Sequence, residues 1–443
     1  MSTQSNVKKF GGSSLADASQ IRKVAAIIQD DRHCRFVVVS APGARFRGDP
    51  KVTDLLINLH DGAGRVQDRV FSAISDRFMD IVAELSLSAP FVAIVRDHLD
   101  WVRETTVTLT ETLEYRKSRG EYLSALILAK LLGWRFLDAA EFIRFDASGR
   151  FDMAATQACW AKLDLGESRY IIPGFYGAMP DGSIKTFSRG GSDITGAIVA
   201  VLTDAACYQN WTDVSGVYTA HPLIVPDARP IDSLTFSELR ELAYGGAEVL
   251  HHEVILVLRP AGIPIRLLNT NRPEDVGSLI IPDSAATPAV VGTIAGLAGR
   301  TGFTVITITK EMMNAEVGFL HKLLGVFARR NISVEHVPSG VDVVSVVVDT
   351  GRLQGIFAQI HTELEEVCRP DDVEMISYMA LVCVVGRGMA GSPGIASKVL
   401  GAVAGAGVNV LMITQGASEI SMTIGVDASK CAAAMRAIHA VFM

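Results

Sequence analysis

Cysteine is scarce in this chain and poorly spaced for chemistry. There are six, at positions 34, 159, 207, 368, 383 and 431, with no CxxC pair. That spacing argues against a disulfide framework or a thiolate zinc site and for reduced, buried thiols. Positive charge is also short, with Lys and Arg totalling 41 against 48 Asp and Glu, a net charge of -7. A chain with that balance is a poor candidate for a general nucleic-acid binder. An anionic ligand would have to be held by a few local cations and backbone N–H groups. Long apolar runs are missing as well. The longest, Ile194 to Cys207, is broken by Thr203 and Asp204 and is too short and polar to span a bilayer. The polar start, MSTQSNVKKF, lacks the form of a signal peptide. The expectation is a soluble, cytoplasmic protein with no membrane or nucleic-acid partner. What the chain does have is core material. Hydrophobic residues make up 49% and charged residues 20% of its 443 positions, a globular balance with length for two to four domains at roughly 100–200 residues each.

The first 285 residues alternate strand and helix patterns. Phe36–Ser40 (FVVVS) is a β-branched run that opens into the loop APGARFRGDP, the form of a buried parallel strand leading into a site. Tyr170–Pro173 and Ala206–Trp211 read as further strands. Thr53–His60, most of Val66–Lys117, Asp193–Leu202 and Leu234–Leu258 read as helices. Strands separated by helices imply an α/β domain with a mostly parallel sheet sandwiched by helices, whose ligands bind beyond the C-terminal strand ends.

A small-residue linker, DSAATP, begins at Asp283. Beyond it, strands are expected at Phe303–Thr309, Ile332–Val337, Asp342–Asp349 and Val373–Ile376, with helices at Glu316–Arg329 and Leu353–Glu365. That is one ferredoxin-like βαββαβ unit. A second begins at Leu381–Gly386 and continues through Ile395–Ala404, Val408–Ile413, Ile420–Val426 and Ala428–Val441. It is one strand short, and Val290–Ala295 is expected to supply that strand, so the two units would be interleaved. The expected division is 1–285 for the first domain, 286–302 for the linker with its shared strand, 303–378 for one small unit and 379–443 for the other.

Three segments carry chemistry. Lys9-Phe10-Gly11-Gly12-Ser13-Ser14 follows a strand and precedes a helical pattern from Leu15. Its glycines let backbone approach a ligand, and N–H groups at a helix start favour anions. The lysine comes first, so this is not the GxxxxGK[ST] phosphate loop; the plain alternative is a capped helix with a surface lysine. Ser188-Arg189-Gly190-Gly191-Ser192-Asp193-Ile194-Thr195 repeats the theme, with an arginine fork suited to carboxylate or phosphate and Ser192 or Asp193 available as a helix cap. Trp211-Thr212-Asp213-Val214-Ser215-Gly216-Val217-Tyr218-Thr219 leaves a strand with amides, a hydroxyl, a carboxylate and a ring, a set that suits a ribose and adenine or an ordinary loop. His251-His252-Glu253 fails as a zincin motif, because Leu256 stands where the second histidine belongs. No protein metal site is expected.

The ordered set KFGGSS, VSAPG (Val39–Gly43), KVTDL (Lys51–Leu55), RGEYL (Arg119–Leu123), SRGGSDIT and TDVSGVY (Thr212–Tyr218) resembles that of aspartate kinases, and the tandem C-terminal units resemble that family's ACT domains. The resemblance implies an amino acid kinase fold with two ACT units and ATP-dependent phosphorylation of the L-aspartate side-chain carboxylate. It places Lys9, Phe10, Gly11, Gly12 and Ser13 at the phosphates and Thr212, Asp213 and Tyr218 at the nucleotide. Ser40, Thr53, Glu121, Arg189, Ser192 and Asp193 fall at the acceptor, with Lys9 and Asp193 catalytic. Mg²⁺ would arrive with the nucleotide. An amino-acid effector, lysine or threonine, would bind an ACT loop near Glu335, Ser339 and Asp342, whose plain alternative is a solvated turn. Paired ACT sheets would make the enzyme a homodimer or larger homo-oligomer.

Two positions depart from the family pattern. Its usual nucleotide-side arginine falls on Leu223 and a lysine falls on Glu248; Arg229 or Lys185 would substitute. They motivate a second reading, a weakened kinase that acts mainly as an amino-acid sensor. A third reading keeps the enzyme class with another acceptor, glutamate, N-acetylglutamate or a nucleoside monophosphate, although Arg189 with Glu121 and the ACT tail argue for a free amino acid.

Overall fold

The computed structural model describes residues 5–61, 65–108, 113–188, 190–247, 250–285 and 294–443. Its contacts gather into two units. One comprises Met1–Val217, Asp232–Phe236 and Val249–Ala286; the other comprises Tyr218–Ile231, Ser237–Glu248 and Thr287–Met443.

Among the described residues ten strands precede residue 286: β1 (Asn6–Phe10), β2 (Phe36–Val39), β3 (Arg135–Phe136), β4 (Tyr170–Pro173), β5 (Tyr176–Ala178), β6 (Ile184–Thr186), β7 (Cys207–Thr212), β8 (Ser233–Thr235), β9 (Ile265–Asn269) and β10 (Ser278–Ile281). Eight form one sheet, in the order β3-β4-β2-β1-β7-β9-β10-β8, and β5 pairs with β6 apart from it. Every neighbouring pair in that sheet is parallel except β9 with β10. All four residues of β2 are buried, as a strand covered on both faces must be. The helices are α1 (Ala18–Asp30), α2 (Val52–Asp61), α3 (Arg65–Glu84), α4 (Ala89–Thr108), α5 (Leu113–Leu132), α6 (Met153–Trp160), α7 (Gly191–Leu202), α8 (Phe236–Tyr244) and α9 (His252–Leu258). In α1 the pattern explains the element. Asp17 accepts from the Gln20 N–H at 2.9 Å, capping the helix, and Ile21, Val24, Ala25 and Ile28 bury one face.

Two local expectations fail here. The helix expected from Leu15 is a short 3-10 turn over Gly12–Leu15, and α1 starts at Ala18. The helix expected over Leu234–Leu258 is broken into α8 and α9, because Gly246 follows α8 at φ 111°, outside the helical range.

The second unit carries β11 (Gly296–Thr309), β12 (Val343–Asp349), β13 (Asp372–Val385), β14 (Val410–Gln415) and β15 (Ser421–Asp427), with α10 (Phe319–Ala328), α11 (Phe357–Cys368), α12 (Ile395–Gly405) and α13 (Cys431–Phe442). Its sheet is antiparallel, in the order β12-β11-β13-β15-β14. β11 and β13 are 14 residues each and serve twice. Phe303–Thr309 pairs with β12 and with Asp372–Met379, whereas Gly296–Thr301 pairs with Ala380–Val385. One core, including Ile306, Phe327 and Ile360, lies under α10 and α11. Another, including Val382, Val399 and Ile438, lies under α12 and α13. The two ferredoxin-like halves are therefore interleaved through their central strands. The strand expected at Val290–Ala295 lies outside the described residues as far as position 293; the pairing strand begins at Gly296. The strand expected at Ile332–Val337 is irregular, with isolated bridges only at His336 and Ser339. Pro338, between them, has no N–H to extend a ladder.

In the first unit the loop after β2 lies directly on the turn after β1. The Gly43 N–H donates to the Gly12 carbonyl at 2.8 Å, and a Cβ on Gly43 would stand 2.6 Å from the Gly12 carbonyl carbon. Gly43→Ala is therefore expected to cost about 1–3 kcal/mol by overpacking backbone on backbone, read as a lowered denaturation midpoint.

Candidate active site

The parallel sheet sets the site by register. Lys8 and Lys9 are successive residues of β1, so they face opposite sides. Their partners across the strand pair are Gln209 and Asn210 of β7. Lys8 donates to Gln209 at 2.8 Å and meets Asp31 at 3.0 Å. Lys9, only 7% exposed, lies 2.5 Å from Asp193 Oδ1 and 3.5 Å from Asn210 Oδ1. Asn210 Nδ2 also donates to Asp193 Oδ1 at 2.9 Å, and Tyr208 donates to the Asp193 carbonyl at 3.2 Å. Lys9 is thus a buried, paired cation, not the surface lysine of the plain alternative. Asp193 is not the cap of α7; Gly190, left-handed at φ 76°, holds that place. The approach of α7 depends on Gly196, whose Cβ would stand 3.1 Å from Lys9 Cβ and 2.6 Å from the Tyr208 ring.

Phe10 ends β1 and stacks on Trp211 at 5.9 Å. The Gly11 N–H donates to the Trp211 carbonyl at 3.0 Å, and the Ser40 N–H to the Phe10 carbonyl at 3.2 Å. Gly12 and Ser13 follow in the 3-10 turn, and Ser14 is tied to Thr270 at 2.8 Å. Lys9, the glycine turn, Ser40 and Asp193 are thereby gathered at the C-terminal ends of β1 and β2, where sheets of this kind bind ligands. Ser192, on the first turn of α7, is buried against Gly174, and Thr53 stands on the first turn of α2. Thr212 ends β7 and its hydroxyl donates to Asp213 at 3.1 Å. Tyr218 groups with the second unit, bridged to Pro230. Arg189 and Glu248 lie outside the described residues. Leu223 is 90% exposed, and Lys185 lies 3.9 Å from Glu114.

Glu121 is buried on α5. Desolvation pushes its carboxyl up to about 8, against the lowering effects of backbone hydrogen bonds, chiefly with Ala41, and of the Arg119 charge. Its Oε2 has no hydrogen-bond partner among the described residues. Ala41 also abuts the glycine turn after β1, since a Cβ on Gly12 would lie 3.0 Å from its carbonyl. A buried acid with one free oxygen suits a cationic group of a ligand, which would stabilise its charged form.

In the second unit Glu335 lies 3.5 Å from Arg300, and the Tyr244 hydroxyl donates to the Glu335 carbonyl at 3.2 Å. Asp342 accepts from the Met312 N–H at 2.9 Å. Ser339 is exposed and bridged to Val344. Two of the three residues named for an effector thus have partners within the fold. Asn210 was missed by the sequence reading. Its signal was available, as a polar pair, Gln209-Asn210, set inside a buried strand opposite two lysines. No group of three or more His, Cys, Asp or Glu that would hold a metal occurs among the described residues, and none of their helices is long and apolar enough to cross a membrane.

Glu121 gives a pH prediction. Its folded pKa lies above the unfolded value of about 4.3, so the folded state holds the proton more tightly. The stabilisation is present in full below about pH 4.3 and is lost as pH rises to about 8, a change on the order of 5 kcal/mol. Unfolding of the ligand-free protein between pH 5 and 8 should show that decline. Glu121→Gln should flatten it; a variant whose stability falls in parallel with the parent would contradict the assignment.

Comparison with known proteins agrees with this architecture. The amino acid kinase family model matches residues 5–269 and an ACT domain model matches residues 382–442. Aspartokinase 3 of Bacillus subtilis (strain 168) is 34% identical over 448 residues, covering 98% of each chain. The crystal structure of Clostridium acetobutylicum aspartate kinase is similar with a TM-score of 0.89 at 42% identity, covering 99% of this chain and 100% of that one. Escherichia coli aspartokinase III has been solved with aspartate and ADP (TM-score 0.77, 27% identity) and with lysine and aspartate (0.78, 28%), each covering 99% of both chains. This chain is a kinase and belongs to the aspartate kinase family, within the wider amino acid kinase family.

Proposed function

We propose that this protein transfers the γ-phosphoryl group of ATP to the side-chain carboxylate of L-aspartate, giving 4-phospho-L-aspartate, the first step of aspartate-family amino acid biosynthesis. The observation that carries the reading is the buried Lys9–Asp193 pair beside the glycine turn. A carboxylate oxygen attacks the γ-phosphorus and the bond to ADP breaks. The acceptor is already ionised at neutral pH, so no general base is needed. The protein's tasks are positioning and charge neutralisation.

Each residue then has a task. Lys9 offsets charge on the transferring phosphoryl group. The N–H groups of Gly12 and Ser13 face the phosphates on a floor too close for side chains, and Gly11, whose own N–H is held by the Trp211 carbonyl, opens the turn. Mg²⁺, bound with the nucleotide, would supply further neutralisation. Asp193 and Asn210 hold Lys9 in place. Because Asp193 is so occupied, the aspartate ammonium falls to Glu121, whose free oxygen awaits a cation. Arg189 takes the α-carboxylate, while Ser40, Thr53 and Ser192 complete the acceptor site. Thr212, Asp213 and Tyr218 serve the nucleotide.

Residues 1–285 carry the transfer chemistry in this reading and the two ACT halves, 303–378 and 379–443, regulate it. Lysine, with which an E. coli relative was solved, or threonine is the effector, at the loop of Glu335, Ser339 and Asp342. The edge strand β14 exposes Leu411 and Ile413, which supports association into a homodimer or larger homo-oligomer through the ACT sheets. The cytoplasm is the expected compartment.

Purified protein with ATP, Mg²⁺, aspartate and hydroxylamine should yield the acyl hydroxamate, and lysine or threonine should suppress it. Absence of product at every effector concentration would favour a sensor, and a product only with another acceptor would reassign the substrate. Lys9→Ala and Asp193→Ala should each lower turnover by about 100-fold or more. The double variant should lose little beyond either single change, because the two act as one unit. Equal turnover in parent and variants would remove both residues from the mechanism.

A further inference from the structure

Two charged side chains that phosphoryl transfer does not call for are buried in the first unit. Arg77, on α3, is 4% exposed, and Asp49, in the loop between β2 and α2, is 9% exposed. Their side chains meet at 2.7 Å. Arg77 also donates to the Gly43 carbonyl at 2.9 Å. Asp49 accepts from Arg45 three times, through the backbone N–H at 2.8 Å and through Nε and a terminal nitrogen at 3.0 Å each.

A buried ion pair is a weak source of net stability. The cost of taking two charges out of water offsets most of their attraction, and apolar residues of similar volume often serve as well. Geometry is what such a pair supplies. The planar guanidinium of Arg77 holds two acceptors at once, a carboxylate and a main-chain carbonyl, in one fixed fork. Both acceptors belong to the loop that follows β2. The same loop is fastened at its far end, where the Val52 N–H donates to the Pro42 carbonyl at 3.1 Å.

From there the contacts run to the chemistry. Gly43, whose carbonyl Arg77 grips, gives its N–H to Gly12. A Cβ on either glycine would collide with or crowd the other's backbone, so the two main chains can approach in one way only. Three links in series thus join α3 to the turn beside Lys9: Arg77 to Gly43, Gly43 to Gly12, and Gly12 to Ser13.

We propose that Arg77 and Asp49 are positioning residues, which touch no substrate but set the place of the Gly12–Ser13 turn and hence of the nucleotide phosphates. The inference rests on the reading that this turn receives those phosphates. It separates the two substrates. The loss on mutation falls mainly on ATP, because the pair grips Gly43, which bonds the turn directly, whereas Ser40 and Ala41 at the start of the loop and Thr53 beyond its end are reached only through main chain.

Two variants test it, with equilibrium MgATP binding and steady-state kinetics as readouts. Arg77→Lys keeps the charge but has no planar fork. The double change Arg77→Met with Asp49→Leu removes both charges at similar volume. Each is expected to melt cooperatively near the parent's midpoint, to bind MgATP about tenfold more weakly, and to raise KM for ATP to a similar degree. KM for aspartate should move less than about threefold. Restoring arginine at position 77 in the lysine variant should restore affinity. If the double variant does not fold, Arg77→Lys carries the test alone. A folded variant with the parent's MgATP affinity and KM overturns the proposal. Lys9→Met, measured alongside, separates the two levels. If it weakens MgATP binding while the Arg77 variants do not, positioning alone fails; if it too binds as the parent does, the phosphate reading beneath fails as well.

Discussion

A lysine ammonium buried at a strand end must be paired or lose its charge, and the site is organised around that requirement. Asp193 stands against Lys9, and it is in reach because α7 lies close on β1 and β7. That closeness needs a glycine at 196 and a tyrosine at 208 whose hydroxyl reaches the helix carbonyl. Asn210 then bridges both members of the pair. At such short range in a dry setting the local field, not the net charge of -7, decides what an anion meets.

Much of the arrangement could be read before the structure. The valine run of β2 and the apolar α7 announced a sheet with both faces covered, and the paired glycines announced turns where main chain comes close. What failed were features that depend on partners distant in sequence. Nothing local says that Lys9 is buried, since its cover comes from residues 193 and 210. Asp193 was eligible as a helix cap by its neighbours alone, and only the tertiary contact with Lys9 overrides that role. The strand expected at Ile332–Val337 had the right residue types, yet Pro338 and the lack of a regular partner left it as isolated bridges. Arg77 sits 24 residues beyond Thr53 in sequence, inside an amphipathic helix, where an arginine ordinarily reads as surface.

The acceptor side shows a different logic. Glu121 is held near neutrality by burial, in contrast to the fully paired lysine. In the proposed role a cationic ligand group would restore the charge that desolvation suppresses, so binding near pH 7 would carry a proton out of the protein. Selectivity for an amino acid over a simple dicarboxylate would then have a physical source, because a ligand without the ammonium would leave the acid protonated and its oxygen unmatched.

The regulatory half has a property of its own. Because β11 and β13 run unbroken through both repeats, the repeats cannot be parted like beads on a thread. Deleting either one would strip its sibling of half its central ladder. A pull or twist felt by one is transmitted along continuous main chain to the other. Gene rearrangements that shuffle single modules would yield broken sheets here, so this pair can be inherited, exchanged or engineered only as an indivisible block.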